Sequence, residues 1–127
     1  MAEPFQVETE RLILRDWRED DSRRFYDAMN TPAVMQWLGG PQSFEEWTEA
    51  FTRITRYARE DGHTFWLVEE RRDGALLGFC GIKKVNYEGA PNQGMPEIGW
   101  RFRESAWGKG FASEAAATSL DLAFGRF

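Results

Sequence analysis

The chain has 127 residues, which fits one domain with a core of its own and predicts no second domain. Its 21 Asp and Glu residues outnumber 16 Lys and Arg residues, and this net charge of −5 argues against a protein that follows nucleic-acid phosphates by overall charge. One cysteine, Cys80, excludes an internal disulfide framework, and no apolar run is long enough to cross a bilayer, so we expect a soluble cytoplasmic protein.

The first predicted elements are a strand and two helical segments. Residues 11–17 predict the first strand, and residues 19–22 provide the start of a helix over residues 23–29. A short helical segment over residues 33–38 then runs into a Gly-Gly-Pro loop at residues 39–41.

The middle of the chain predicts a longer helix and a β-hairpin. Ser43-Phe44-Glu45-Glu46 forms a capping box. The residues behind it have the three- and four-residue spacing of an amphipathic helix: Phe44, Trp47, Phe51, Ile54 and Ala58. Residues 64–69 and 76–85 are apolar or alternating runs joined through an Asp-Gly turn, so they should pair as antiparallel strands.

The last third of the chain predicts a loop, a strand and a helix. A polar loop covers residues 86–95. A strand follows over residues 97–102, and a helix covers residues 112–124. The small-residue face of this helix should lie against a sheet, and consists of Ala112, Ala115, Ala116, Leu120 and Ala123. Together the elements predict an α+β (mixed α/β) fold, with a sheet of mostly antiparallel strands flanked by helices.

One segment indicates a chemistry: Trp107-Gly108-Lys109-Gly110-Phe111-Ala112, between the last predicted strand and helix. Its two glycines allow a tight turn and close approach to a ligand, so several backbone N–H groups can converge at a helix N-terminus. Such a concavity suits a diphosphate. The alternative is a glycine-rich loop that only turns the chain.

Two other phosphate-binding motifs are disfavoured. A P-loop needs glycine where Arg103 stands, and Ser or Thr after Gly-Lys, where Gly110 stands. A dinucleotide fingerprint needs Gly or Ala where Ser113 stands, and an acidic residue about twenty positions further on, beyond Phe127. A small dinucleotide-binding domain is therefore disfavoured.

Three segments share features with a known superfamily. They are Thr9-Glu10-Arg11-Leu12-Ile13-Leu14-Arg15, Leu77-Gly78-Phe79-Cys80-Gly81-Ile82, and the run from Glu97-Ile98-Gly99-Trp100 through the glycine loop to Ala115. Together they resemble the GCN5-related N-acetyltransferase superfamily, and within it the branch that acetylates the N-termini of ribosomal proteins and related amines. The superfamily's diphosphate loop reads Gln or Arg, two residues, Gly, one residue, then Gly or Ala. Gly110 and Ala112 fit this pattern, and Trp107 at its first position resembles this branch.

The resemblance implies direct transfer of an acetyl group from acetyl-CoA to a primary amine, without a metal. The backbone of the glycine loop would bind the coenzyme A diphosphate, through Gly108, Lys109, Gly110, Phe111, Ala112 and Ser113. Trp100, Arg101 and Phe102 would offer free strand-edge groups to the pantetheine arm, and an N–H of this strand would polarise the thioester carbonyl. Glu97 would be the general base; its other interpretation is an ordinary exposed carboxylate.

The resemblance also implies elements that follow the last helix in the family. They include a strand on the other side of the coenzyme cleft, and a tyrosine that reprotonates the thiolate and would lie beyond Phe127. We therefore expect a single domain over residues 1–127 that is either truncated or completed by a second copy, as a homo-oligomer that covers the exposed sheet edge. The alternative function is an incomplete fragment that binds coenzyme A or a partner.

The acceptor stays open between protein N-termini and small-molecule amines. Trp37, Trp47 and Tyr87 either wall an acceptor pocket or pack in the core. Cys80 is expected to be inert packing, and His63 to have a turn or surface role.

Overall fold

The computed structural model describes residues 5–85 and 89–125 of the chain. In these residues five strands form one sheet in their sequence order, and every neighbouring pair is antiparallel. The strands are β1 (Gln6–Glu8), β2 (Leu12–Arg15), β3 (Phe65–Glu70), β4 (Leu76–Lys84) and β5 (Pro96–Phe102). The α-helices are α1 (Asp21–Met29), α2 (Pro32–Met35), α3 (Phe44–Asp61) and α4 (Phe111–Gly125). The predicted α+β class is confirmed.

The helices cover the two faces of the sheet. On one face, Phe111 and Ala115 of α4 pack into a cluster with Trp66 of β3. On the other face, the α1–α3 side, the ring of Phe25 stacks on that of Trp47 with centroids 4.7 Å apart. Because side chains alternate along a strand, β3 and β4 each contribute to both clusters, and the sheet is buried on both faces.

Strand β1 has no clear sequence signal. Its three residues, Gln6–Glu8, are too few to show a period, and only Val7 is apolar. Pairing with β2 and the stacking of Phe5 on Trp66, with centroids 4.1 Å apart, hold it in the sheet. Long-range contacts, which no local pattern reports, therefore determine this strand.

The capping box predicted for α3 is confirmed. The Glu46 N–H donates to Ser43 Oγ at 3.1 Å, and the Ser43 N–H donates to Glu46 Oε1 at 3.0 Å. The helix ends at Gly62, whose φ of 78° lies in the left-handed region. Trp47 and Ile54 are buried on its inner face.

The predicted inner face of α4 is wrong at Leu120, which is 44% exposed. The buried stripe runs through Phe111, Ala115 and Ser119, spaced four residues apart. Leu120 lies about 100° further round the helix than Ser119, on the solvent side. The other predicted face residues, Ala112, Ala116 and Ala123, are partly buried against the core.

Arg15 is buried between two carboxylates and ties three elements together. Its Nη1 lies 2.8 Å from Asp21 Oδ2 of α1, and its Nε lies 2.9 Å from Glu69 Oε1 of β3. The Arg15 and Asp21 side chains are only 4% and 1% exposed. Burial alone would raise the pKa of Asp21, but hydrogen bonds from Arg15 and the Arg18 N–H hold it below its usual range.

Candidate active site

The glycine loop leaves the end of β5 and turns sharply into α4. A 3₁₀ turn over Glu104–Ala106 leads into it. Gly108 and Gly110 have φ values of 74° and 80°, which residues with a Cβ rarely adopt. The two glycines therefore have the conformational role that the sequence predicts for them.

The backbone N–H groups of this loop are available to a ligand. Within the described part of the chain, none of the N–H groups of residues 108–113 donates to a protein acceptor. The first helical bond runs from the Glu114 N–H to the Gly110 carbonyl, at 3.1 Å. Unpaired N–H groups and the positive end of the α4 dipole thus lie together at the start of α4, where an anion is stabilised.

A polar cluster between β1 and β2 holds this loop in place. Arg11 Nε donates to Glu114 Oε1 at 2.7 Å, and Arg11 Nη1 donates to the Lys109 carbonyl at 2.9 Å. Thr9 Oγ1 and the Arg11 N–H both donate to Glu114 Oε2. The guanidinium also lies 4.4 Å from the ring centroid of Phe111. We call Thr9, Arg11 and Glu114 the loop clamp.

The loop clamp also fixes the charge beside the helix N-terminus. Partial burial would raise the pKa of Glu114, but the hydrogen bonds from Thr9 and Arg11 hold it below its usual range. The carboxylate stays ionised and paired with Arg11. The negative charge of Glu114 is therefore compensated where an anionic ligand would bind.

Strand β5 presents a free edge to the loop. The Arg103 N–H bonds the Leu77 carbonyl, and the Val85 N–H bonds the Met95 carbonyl, both at 2.9 Å. Since backbone groups alternate between the two edges of a strand, odd-numbered residues of β5 face β4, and Ile98, Trp100 and Phe102 face outward. Among the described residues no strand pairs with this edge.

The three predicted pantetheine contacts differ in what they present there. Trp100 directs its N–H and C=O outward, whereas the carbonyl of Phe102 accepts a hydrogen bond from Trp107 Nε1 at 2.9 Å. The backbone groups of Arg101 point toward β4, and its side chain lies on the α1–α3 side. Trp100 and the Phe102 N–H are thus the parts of this trio that remain open at the edge.

Glu97 lies at the other end of β5 from the loop, and its side chain is on the α1–α3 side. Its Oε2 is buried and lies 4.0 Å from Lys83 Nζ. Its side chain as a whole is 33% exposed. The structure therefore places the predicted base at the open edge, on the opposite face of the sheet from α4.

The remaining predicted residues lie in different environments. Trp47 is buried, whereas Trp37 is 87% exposed, and Tyr87 lies outside the described residues. Cys80 is buried, and desolvation raises the pKa of its thiol to about 11, which agrees with inert packing. His63 is buried rather than at the surface, and its Nδ1 lies 2.9 Å from the Ile82 carbonyl.

The described residues contain no group of three or more His, Cys, Asp or Glu side chains that could hold a metal ion. No helix in residues 5–85 and 89–125 is long and apolar enough to span a membrane.

Known proteins are similar to this chain in sequence and in fold. The chain belongs to the acetyltransferase (GNAT) domain family, which matches residues 11–127. It is 33% identical over 117 residues to the uncharacterized protein YkkB of Bacillus subtilis (strain 168), covering 91% of this chain and 66% of that protein. It is 26% identical over 121 residues to the uncharacterized N-acetyltransferase YoaA of the same organism, covering 93% of this chain and 66% of that protein.

A solved structure agrees with this assignment. The crystal structure of an acetyltransferase from Agrobacterium tumefaciens str. C58 matches with a TM-score of 0.82 at 26% identity, over 98% of this chain and 70% of that chain. The chain spans about two thirds of the length of the curated relatives that it matches. The ribosomal-protein branch, the homo-oligomer and the cytoplasmic location stay predictions.

Proposed function

We propose that this chain, or a longer protein that contains it, transfers an acetyl group from acetyl-CoA to a primary amine. One observation carries the proposal: in a GNAT-family chain, the N–H groups of residues 108–113 donate to no described acceptor, and they lie at the start of α4, next along the chain to a strand with an open edge. The proposal extends to a protein N-terminus or a small-molecule amine as acceptor.

The loop fits the diphosphate of coenzyme A. Main-chain donors at a helix N-terminus bind phosphate oxygens without a specific side chain, and the two glycines leave room for close approach. Lys109 is exposed between them and adds a positive charge at the rim. Gly108, Gly110, Phe111, Ala112 and Ser113 act through their backbones in this proposal.

The edge of β5 suits the arm that carries the thioester. Outward N–H and C=O groups of Ile98 and Trp100 can bond the amides of pantetheine as a neighbouring strand would. An outward N–H close to the thioester carbonyl stabilises the negative charge that develops on its oxygen. Phe102 contributes its N–H, and Arg101 takes no part in this edge.

The acceptor approaches from the other face of the sheet. Glu97 lies at the open edge on the α1–α3 side, away from α4 and its loop. An amine must lose its proton before it attacks, and an α-amino group has a reference pKa of about 8. A carboxylate can take that proton directly or through a water molecule. The sheet edge thus brings donor and acceptor together from opposite sides.

The direct test follows thiol release from acetyl-CoA with a panel of amines. The panel contains short peptides, a polyamine and an aminoglycoside. Release of coenzyme A with at least one amine is the expected result. Binding of coenzyme A without release would favour the non-catalytic alternative, and absence of binding would leave only a partner-binding fragment.

The loop clamp provides a second test. Arg11→Met removes the bond to the Lys109 carbonyl and leaves Glu114 uncompensated beside the phosphate site. We expect coenzyme A to bind about tenfold more weakly, a change of about 1.4 kcal/mol measured by titration calorimetry.

Two variants control this experiment. Arg23→Met makes the same charge change at an exposed pair in α1 and should leave the affinity unchanged. Arg11→Met combined with Glu114→Gln should recover part of the loss, because the unpaired carboxylate is gone. Equal affinity of the Arg11 and Arg23 variants would show that the clamp does not shape the loop.

A further inference from the structure

Arg101 has an unusual environment for a partly buried cation. Its side chain projects from β5 to the α1–α3 side, where the guanidinium carbon lies 5.2 Å from the ring centroid of Phe79. Its Nε is buried and has no hydrogen-bond partner. Among the described residues no carboxylate forms an ion pair with it. Within residues 5–85 and 89–125, the ring of Phe79 is thus the only partner that the structure gives this charge.

The head of Arg101 lines a narrow cleft. The apolar part of the wall comes from α1, α2 and α3 and consists of Phe25, Met29, Met35 and Trp47. None of the described residues that line it is an Asp or a Glu.

The polar groups of the wall are already engaged. Tyr26 Oη and Asn30 Nδ2 both donate to the Gln42 carbonyl, at 3.0 and 2.9 Å. The Gln42 N–H donates to Asn30 Oδ1 at 2.7 Å. These bonds fix the chain around Gln42.

Arg15 in the same fold shows how a buried arginine is normally stabilised. It has two carboxylates within 3 Å, whereas Arg101 has none in the described residues. Desolvation lowers the pKa of Arg101, which means that its charged form is destabilised where it stands. A buried charge without a counter-ion destabilises the fold, and a ligand can supply the missing counter-ion.

We propose that Arg101 binds a carboxylate of the acceptor. The inference rests on the proposed function, and it narrows the acceptor to amines that also carry a carboxylate, such as short peptides with a free C-terminus. Arg101 and Glu97 lie on the same face of β5, four residues apart, or about 13 Å along the strand. One acceptor can therefore reach Glu97 with its amine and Arg101 with its carboxylate.

The chemistry of the guanidinium supports this choice. Its N–H groups form a planar fork that binds a carboxylate through two parallel hydrogen bonds. The surrounding apolar walls exclude water and strengthen such a pair. Polyamines and aminoglycosides lack the carboxylate, and we expect them to be poor acceptors.

The test compares di-, tri- and tetra-alanine, each as the free acid and as the C-terminal carboxamide. Both forms carry the same free α-amino group, so any difference between them is due to the C-terminal carboxylate. For at least one length we expect the acid to bind at least about tenfold more tightly than the amide, by KM in the thiol-release assay and by calorimetry with the chain. Equal values for acid and amide at every length would overturn the proposal.

Two substitutions test whether the preference for the acid over the amide depends on Arg101. Arg101→Met should reduce the ratio between acid and amide to about one, and Arg101→Lys should keep part of it as a point charge. Arg101→Met should also raise Tm by about 3 °C, because it removes an uncompensated charge, whereas Arg15→Met should lower Tm. A preference that survives in Arg101→Met would contradict the assignment.

The outcomes separate this inference from the proposed function. Turnover of panel amines with no preference for the acid would leave the acetyltransferase proposal standing and remove the role of Arg101. Binding of the acid that depends on Arg101, without any thiol release, would support the carboxylate site and count against the enzyme.

Discussion

Asp21→Asn is expected to lower the free energy of unfolding by about 3 kcal/mol, and Tm by about 10 °C. The substitution removes one of the two carboxylates that neutralise Arg15, whose side chain is 4% exposed. It also weakens the bond that the Arg18 N–H donates to Asp21 Oδ2, at 2.7 Å, at the start of α1. Chemical denaturation of both proteins at pH 7 measures the difference.

The same carboxylate predicts the pH dependence of stability. Because the folded-state pKa of Asp21 is lowered, its contribution is complete above the unfolded-state pKa of about 3.9 and is lost as the pH falls through the folded value. The stability difference between wild type and Asp21→Asn should therefore be constant from pH 7 to about pH 5 and shrink in stronger acid.

Asp27→Asn is the matched control. Asp27 lies in the same helix, pairs with Arg23 at 3.1 Å, and has a 59% exposed side chain. An exposed pair of this kind contributes at most about 0.5 kcal/mol. If Asp21→Asn were no more destabilising than Asp27→Asn, the network around Arg15 would not hold the sheet to α1.

Glu97→Gln is expected to lower kcat for acetyl transfer by about 100-fold, which corresponds to about 2.7 kcal/mol. The amide keeps the size of the carboxylate but cannot take a proton from the amine. The residual rate should rise with pH, because the acceptor then supplies its own unprotonated form. Steady-state kinetics at pH 7 and pH 9 measure both effects.

Binding of acetyl-CoA should be the same in Glu97→Gln and wild type, since the loop that holds the diphosphate lies at the other end of β5. Glu49→Gln, at an exposed position of α3, is the control and should leave kcat unchanged. A Glu97→Gln protein with the wild-type rate would exclude Glu97 as the base.

Local patterns in the sequence predict most of the elements. The capping box at Ser43 starts α3, and the Asp-Gly turn gives Gly74 the positive φ of 73° that joins β3 to β4. Both signals depend on a few adjacent residues, whose hydrogen bonds and dihedral angles are largely fixed by their own chemistry. The position of the glycine loop between a strand and a helix follows for the same reason.

What the sequence could not predict depends on contacts between distant residues. The motif beginning at Thr9 marks the family resemblance, but only the fold shows that Arg11 bonds Glu114, 103 residues further along the chain. The direction of the Arg101 side chain follows from the register of β5 on β4, which no local pattern gives. The prediction that Leu120 faces the sheet is wrong because small and large apolar residues occur on several sides of α4.

The most direct test of the account compares coenzyme A with pantetheine, which lacks the diphosphate, by titration calorimetry on the 127-residue chain. If the free N–H groups of residues 108–113 bind the diphosphate, coenzyme A should bind at least about 30-fold more tightly, a difference of about 2 kcal/mol. Equal affinities for the two compounds, or no binding of coenzyme A, would contradict the assignment of the loop.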